Sequence, residues 1–205
     1  MSVVVLISGR GSNMQALLDA GLPVAAVISN RADAAGHQIA ARRGIVAAAI
    51  EHSEFRTREE FDTALAAEID RHSPRLVALA GFMRILSPGF VARYSGRLMN
   101  IHPSLLPAFP GLDTHRRALA AGVKVHGCSV HFVSDQLDRG PIIIQAAVPV
   151  RPRDTPDLLA ARVLRVEHLV YPRAVRWFLD DKLVVHDGVV SVRGNDAQLV
   201  YSDRD

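Results

Sequence analysis

The chain has a single cysteine, Cys128, among its 205 residues. No intramolecular disulfide framework is therefore available, which suits a reducing compartment. The N-terminus lacks the basic n-region of a signal peptide, and Arg10 interrupts the apolar run 3–7. No uninterrupted apolar segment approaches the ~20 residues of a membrane span. A cytoplasmic protein with no membrane partner is predicted. Basic clusters are missing too. The 24 Lys+Arg against 21 Asp+Glu leave +3, and the arginines are dispersed. That balance gives no ground for a nucleic-acid partner, though it suits an anionic small molecule. Repeats, low-complexity stretches and linkers are absent. With 49% hydrophobic and 22% charged residues, the chain reads as one globular domain spanning 1–205. Two lobes are expected within it, about 1–100 and about 101–205.

What is present first is a rhythm. Residues 3–7 form a short, wholly apolar run, the mark of a buried parallel strand. Further strands are predicted at 23–28, 45–50, 76–80 and 97–102. Between them lie helices at 14–20, 34–43, 58–72 and a short one from Ser87-Pro88. Thr57 and Glu60 have capping-box spacing, and Gly44 suits a helix C-terminus. Alternation of this kind predicts an α/β fold with a doubly wound, mostly parallel sheet. Beyond residue 110 the rhythm changes. A short helix at 115–121 precedes two β-rich runs, 124–134 and 141–150, which read as an antiparallel pair. Asp154-Thr155-Pro156 starts a long helix to about 179, with a kink or interruption expected near Pro172. Residues 184–190 read as a terminal hairpin turning on Asp187-Gly188.

Two places concentrate chemistry. Gly9-Arg10-Gly11-Ser12-Asn13 links a strand to a helix, where backbone N–H groups favour an anion. Met14 stands where the third glycine of a dinucleotide fingerprint belongs, and Ser29-Asn30-Arg31 offers no ribose-binding acid. No Walker A lysine follows. A single terminal phosphate fits better than NAD or ATP; the alternative is a tight turn that binds nothing. The second place is Asn100-Ile101-His102-Pro103. Period two puts Asn100 and His102 on one face at a strand end, and Pro103 stops the ladder. An amide and an imidazolium together can hold an oxyanion. A lone histidine is more often structural than catalytic, and taken by itself His102 reads that way. A carboxylate would keep the ring protonated; Asp138 is a candidate, although an Asx turn before Gly and Pro explains it as well. His115, His126 and His131 raise the question of a metal. There is no HExxH pattern and one thiol only, so none is expected.

Residues 5–13, 79–88, 100–107 and 126–133, with Leu137-Asp138 and Glu167-His168, resemble the phosphoribosylglycinamide formyltransferase family. The match runs in order from residue 3 to about 179. The resemblance implies formyl transfer from 10-formyltetrahydrofolate to the amino group of 5′-phosphoribosylglycinamide, in purine biosynthesis. It implies catalytic roles for Asn100, His102 and Asp138. Gly11, Ser12, Asn13, Met14 and Gln15 would hold the ribose phosphate, and Glu167 the ribose hydroxyls. Arg58 would meet the folate glutamate tail. Met83, Arg84, Ile85 and Leu86 would line the pterin pocket with Asn100, while Ser134, Asp135, Gln136, Leu137 and Asp138 close over it. No tightly bound cofactor is implied, since the folate is a co-substrate, and a monomer or homodimer is expected. The runner-up is 10-formyltetrahydrofolate deformylase, which shares the Asn-x-His…Asp set but carries an additional N-terminal domain. Methionyl-tRNA formyltransferase would carry a C-terminal one. Arg10, Asp113 and Arg139 depart from common family residues. Arg139 matters most, because a glycine there would permit φ > 0 and an arginine does so poorly.

Overall fold

The computed structural model describes residues 2–203. The chain divides into two compact units, Met1–Asn100 and Ile101–Asp205. In the first, the elements follow in the order β1 (Val3–Ile7), α1 (Ser12–Asp19), β2 (Val24–Ser29), α2 (Gly36–Arg42), β3 (Val46–Ala49), α3 (Arg58–Asp70), β4 (Leu76–Leu79), α4 (Pro88–Arg93) and β5 (Leu98–His102). The unit boundary falls inside β5, after Asn100.

Every residue of β1 is buried, as its unbroken apolar sequence requires. It pairs in parallel with β2 on one side and β4 on the other. Parallel pairing continues from β2 to β3 and from β4 to β5. Met14 and Leu17 of α1 and Phe61, Leu65 and Ile69 of α3 are fully or almost fully buried. Helix starts are set by side chains that accept otherwise orphaned N–H groups. Thr57 accepts from Glu60 N–H, and Ser87 from Phe90 N–H with Pro88 in the first turn. The return arm of the capping box is displaced by one residue: Glu60 accepts the Arg56 N–H at 3.0 Å, not that of Thr57.

The second unit begins with the end of β5. Next come α5 (Thr114–Ala120), β6 (Val125–Phe132), β7 (Ile142–Pro149), α6 (Pro156–Leu179), β8 (Leu183–His186), β9 (Val189–Val192) and β10 (Leu199–Tyr201). The strands β6 and β7 are antiparallel, with an irregularity in register at Val130/His131. The eight-stranded sheet has the order β10-β7-β6-β5-β4-β1-β2-β3. Thr155 caps α6 by accepting from Leu158 N–H, and the helix runs through Pro172 without the predicted interruption. The buried Arg162 guanidinium grips Asp154 through two bonds of 2.6 and 2.9 Å and also donates to the Pro149 carbonyl. That pair fixes the start of α6 against the end of β7. The hairpin β8–β9 turns on Asp187 and Gly188, both at positive φ (48° and 75°), as a primed two-residue turn demands. It is not terminal: β10 follows and adds to the sheet edge in parallel with β7. No described helix is long and apolar enough to cross a membrane.

Candidate active site

In the first unit, the exits of three strands, β1, β2 and β4, are tied together through Ser8. Its hydroxyl donates to Asn30 Oδ1 at 2.5 Å and accepts the Met83 N–H at 2.7 Å. Chain leaving β1 and chain leaving β4 are thereby held at one edge. Gly11 takes φ +73°, and a Cβ there would lie 3.0 Å from Gly36 Cα. Only glycine meets both demands without strain. Gly11 N-caps α1 with no side-chain bond to the first turn, which leaves that turn open toward an anion. Asn13 and Met14 are buried, Ser12 is half-buried, and Arg10 and Gln15 are exposed. Met14 is 0% exposed, so its side chain belongs to the core. Met83 and Ile85, on either side of Arg84, are 67% and 61% exposed. Leu86 and Asn100 are half-buried, and Arg58 is exposed on the first turn of α3.

In the second unit, His102 and Asp138 meet. Nδ1 of His102 lies 3.4 Å from Asp138 Oδ2, and both side chains are 8% exposed. Nε2 of the same ring lies 3.1 Å from the Phe109 carbonyl. A carbonyl only accepts, so Nε2 donates. A neutral ring would then turn a lone pair at Nδ1 toward the carboxylate. A protonated ring would instead turn an N–H toward the carboxylate across that 3.4 Å. Asp138 Oδ2 also accepts the Gly111 N–H at 2.8 Å. The loop between β5 and α5 thus supplies one backbone partner to each member of the pair. His131 approaches from β6, with Nε2 at 4.0 Å from Asp138 Oδ1 and Nδ1 donating to the Phe132 carbonyl at 2.9 Å. Burial is the main cause that lowers the His131 pKa. On its other side, Asp138 borders an open cleft of about 480 Å³ that reaches Gly188 in the β8–β9 turn.

Behind this pair stand two more histidines. The rings of His115 and His126 meet edge to face at 5.3 Å. Burial, and then the neighbouring histidine, push His126 down to about 4; burial and His102 also lower His115. Two such groups prefer to be neutral. Among the described residues, no cluster of three or more His, Cys, Asp or Glu is arranged to hold a metal ion. Glu167 sits buried in α6; together with burial, its charge raises the Cys128 thiol well above the usual range. Ser134 is half-buried and donates to the Gln136 carbonyl, while Asp135, Gln136 and Leu137 are exposed.

One expectation is corrected. The left-handed conformation in this loop falls on Asp138 (φ 54°), and Arg139 is not among the positive-φ residues. Aspartate tolerates that region far better than arginine, so the departure at 139 costs the loop nothing. Asp113 also has φ 56° and N-caps α5 without a side-chain bond, pairing instead with Arg116 at 2.5 Å. Phe109 and Gly111 are the site neighbours that sequence reasoning missed, and His131, weighed there only as a metal ligand, lies beside Asp138. The first two act through backbone atoms and leave no residue-type signal.

The formyl transferase family model matches residues 1–175. The phosphoribosylglycinamide formyltransferase of Escherichia coli (strain K12) is 52% identical over 200 residues, covering 95% of this chain and 94% of that one. The trifunctional purine biosynthetic protein adenosine-3 of Homo sapiens is 47% identical over 180 residues, and the chain spans 18% of its length. A crystal structure of phosphoribosylglycinamide formyltransferase from Anaplasma phagocytophilum superposes with a TM-score of 0.94 at 42% identity, covering 99% of both chains. A full-length relative at this identity and a fold that superposes end to end leave one reading: the chain belongs to the phosphoribosylglycinamide formyltransferases.

Proposed function

We propose that Asn100, His102 and Asp138 carry the reaction of that family in this chain. The formyl group of 10-formyltetrahydrofolate passes to the amino group of 5′-phosphoribosylglycinamide, giving the N-formyl product and tetrahydrofolate in de novo purine biosynthesis. The single observation that supports these roles is the His102–Asp138 pair, a buried imidazole with an acceptor at each nitrogen.

The neutral amine attacks the formyl carbon, and a C–N bond forms as the carbonyl π pair moves onto oxygen. The Asn100 amide and the His102 Nε2–H donate to that oxyanion, where such donors contribute most. For this the Nε2–H exchanges the Phe109 carbonyl for the substrate oxygen, a bond that tightens only in the complex. Asp138, 3.4 Å from Nδ1, orients the ring and stabilises positive charge that develops on it. The new ammonium loses one proton, which travels by the carboxylate and water to N10 of the folate. The oxyanion then re-forms the carbonyl as the C–N10 bond breaks, and that bond's electron pair leaves with the protonated nitrogen.

For the substrates, Gly11, Ser12, Asn13, Gln15 and the Met14 backbone take the phosphate end, and Glu167 takes the ribose hydroxyls. Met83, Arg84, Ile85 and Leu86 take the pterin with the loop 134–138, and Arg58 takes the glutamate tail. The exposed Met83 and Ile85 support the pterin assignment, and the glycine N-cap of α1, which puts no side chain over the first turn, supports the phosphate one. The test is an assay of the purified protein with 10-formyltetrahydrofolate, with and without phosphoribosylglycinamide. Formyl transfer should require the acceptor; formyl loss that ignores it would identify a deformylase instead.

A further inference from the structure

The catalytic pair rests on backbone, and backbone must itself be held. The Phe109 carbonyl faces His102 and the Gly111 N–H faces Asp138. Both belong to the loop 103–113, which has no regular structure of its own before α5. Phe109 has φ 53°, a left-handed conformation that a bulky residue keeps only when its surroundings enforce it.

What enforces it is a set of buried polar bonds anchored in the sheet. Ser129 on β6 and Gln145 on β7 are direct cross-strand partners. Gln145 Nε2 donates to the Leu106 carbonyl at 2.9 Å and to Ser129 Oγ at 2.8 Å. That uses both protons of the amide. Ser129 Oγ donates to the Ser104 carbonyl at 2.8 Å and accepts the Leu106 N–H at 2.9 Å. Its one donor and two acceptor sites are filled. Ser104, itself fully buried, donates through its hydroxyl to the Ala108 carbonyl at 2.6 Å. The chain of bonds therefore runs from two strands, through Ser104 and Leu106, to the residue before Phe109. A purely apolar pair at 129 and 145 would have packed the sheet equally well. Two polar side chains whose every donor is used, aimed at one loop, serve to specify its backbone.

We propose that Ser129 and Gln145 are positioning residues that act on His102 and Asp138 through the 104–111 loop, by fixing where the Phe109 carbonyl and the Gly111 N–H point. This rests on the catalytic reading of His102 and Asp138 given above. Neither residue takes part in the chemistry; each sets the angle at which the ring presents Nε2–H to substrate. Removing either leaves the substrate pockets intact and lets the ring settle off the productive orientation.

The test uses Ser129→Ala, Gln145→Met and the double variant in the full chain. Each single variant should lose about tenfold in kcat, with both KM values within twofold of the parent. The double variant should be no slower than about the worse single, because both act along one path. The ¹⁵N-edited NMR signal of the His102 Nε2–H should move in all three. A kcat within twofold of the parent in either single variant, with that signal unmoved, overturns the proposal whatever happens to the melting temperature. If Gln145→Met does not fold, Ser129→Ala decides by the same two readings. His102→Ala is run alongside. If it keeps turnover, the catalytic reading itself falls; if it alone loses turnover, only the positioning role falls.

Discussion

Asp138 stands 3.4 Å from the His102 ring while its own backbone is left-handed, at φ 54°. Its carboxylate receives a second donor, Gly111 N–H, on the same oxygen. An uncharged isostere at 138 keeps an oxygen for Gly111 but gives up the charge that favours a cationic ring. Asp138→Asn should therefore keep its melting temperature within a few degrees and lose on the order of 10²-fold or more in kcat. His102→Ala should lose at least as much. Steady-state rates with both substrates saturating, beside a thermal melt, check both variants. A near-parental rate in either would remove it from the mechanism.

Gly140 lies two residues beyond, and its freedom is steric. A Cβ there would sit 1.8 Å from the Phe132 carbonyl oxygen, a backbone atom that has no room to retreat. Gly140→Ala must move the strand end that carries His131 or the loop that carries Asp138. It should both destabilise the protein, by roughly 1–3 kcal/mol or more, and lower kcat. Arg139→Gly is the contrasting variant. Arg139 is exposed and outside the positive-φ set, so its removal should leave kcat within about twofold and cost at most ~1 kcal/mol. Urea melts and initial rates on the two variants separate the cases.

Local chemistry was readable in the residues; backbone partners were not. The unbroken apolar β1, the Thr57, Ser87 and Thr155 caps and the Asp187-Gly188 turn all follow from side-chain type and period. So does the pairing of Asn100 with His102 on one strand. The strand β10 escaped because three half-buried or exposed residues at a sheet edge are too few for a period to be read from the sequence. Phe109 and Gly111 escaped because a carbonyl and an N–H are common to nearly every residue. Arg139 was given the demand for positive φ that belongs to Asp138, since sequence comparison marks where glycine is tolerated and cannot assign the torsion.

The phosphate assignment makes a claim about two substrates at once. Asn13 lies in the first turn of α1, beyond the left-handed Gly11, and is buried. If that turn holds the sugar phosphate, Asn13→Ala should raise the KM for phosphoribosylglycinamide by about tenfold, the loss of a charge-assisted hydrogen bond or two. The KM for the folate should stay within about twofold. Gly11→Ala should show the same bias with an added stability cost, because its Cβ meets Gly36 Cα in a strained conformation. Equal losses for both substrates would move the phosphate to another part of the protein.

His126, in the second unit, makes a claim about acid stability. In the folded chain it is pushed down to about 4, by burial first and by the neighbouring His115 second, against a favourable bond to the Pro103 backbone. Unfolded, an ordinary histidine titrates near ~6.5. Between those values the unfolded chain binds the extra proton, so stability must rise with pH there. The contribution is fully present above pH ~6.5 and is lost as pH falls through about 4. His126→Phe keeps an aromatic edge beside the Phe109 and His115 rings and removes the titration. The slope of unfolding free energy against pH in that window should drop by up to ~1.4 kcal/mol per pH unit. His115, also lowered by burial, keeps its own share of the slope. Urea unfolding at half-unit steps from pH 4.5 to 7.5 measures it in both proteins. Parallel curves would mean that His126 is already charged, or already solvated, in the folded protein.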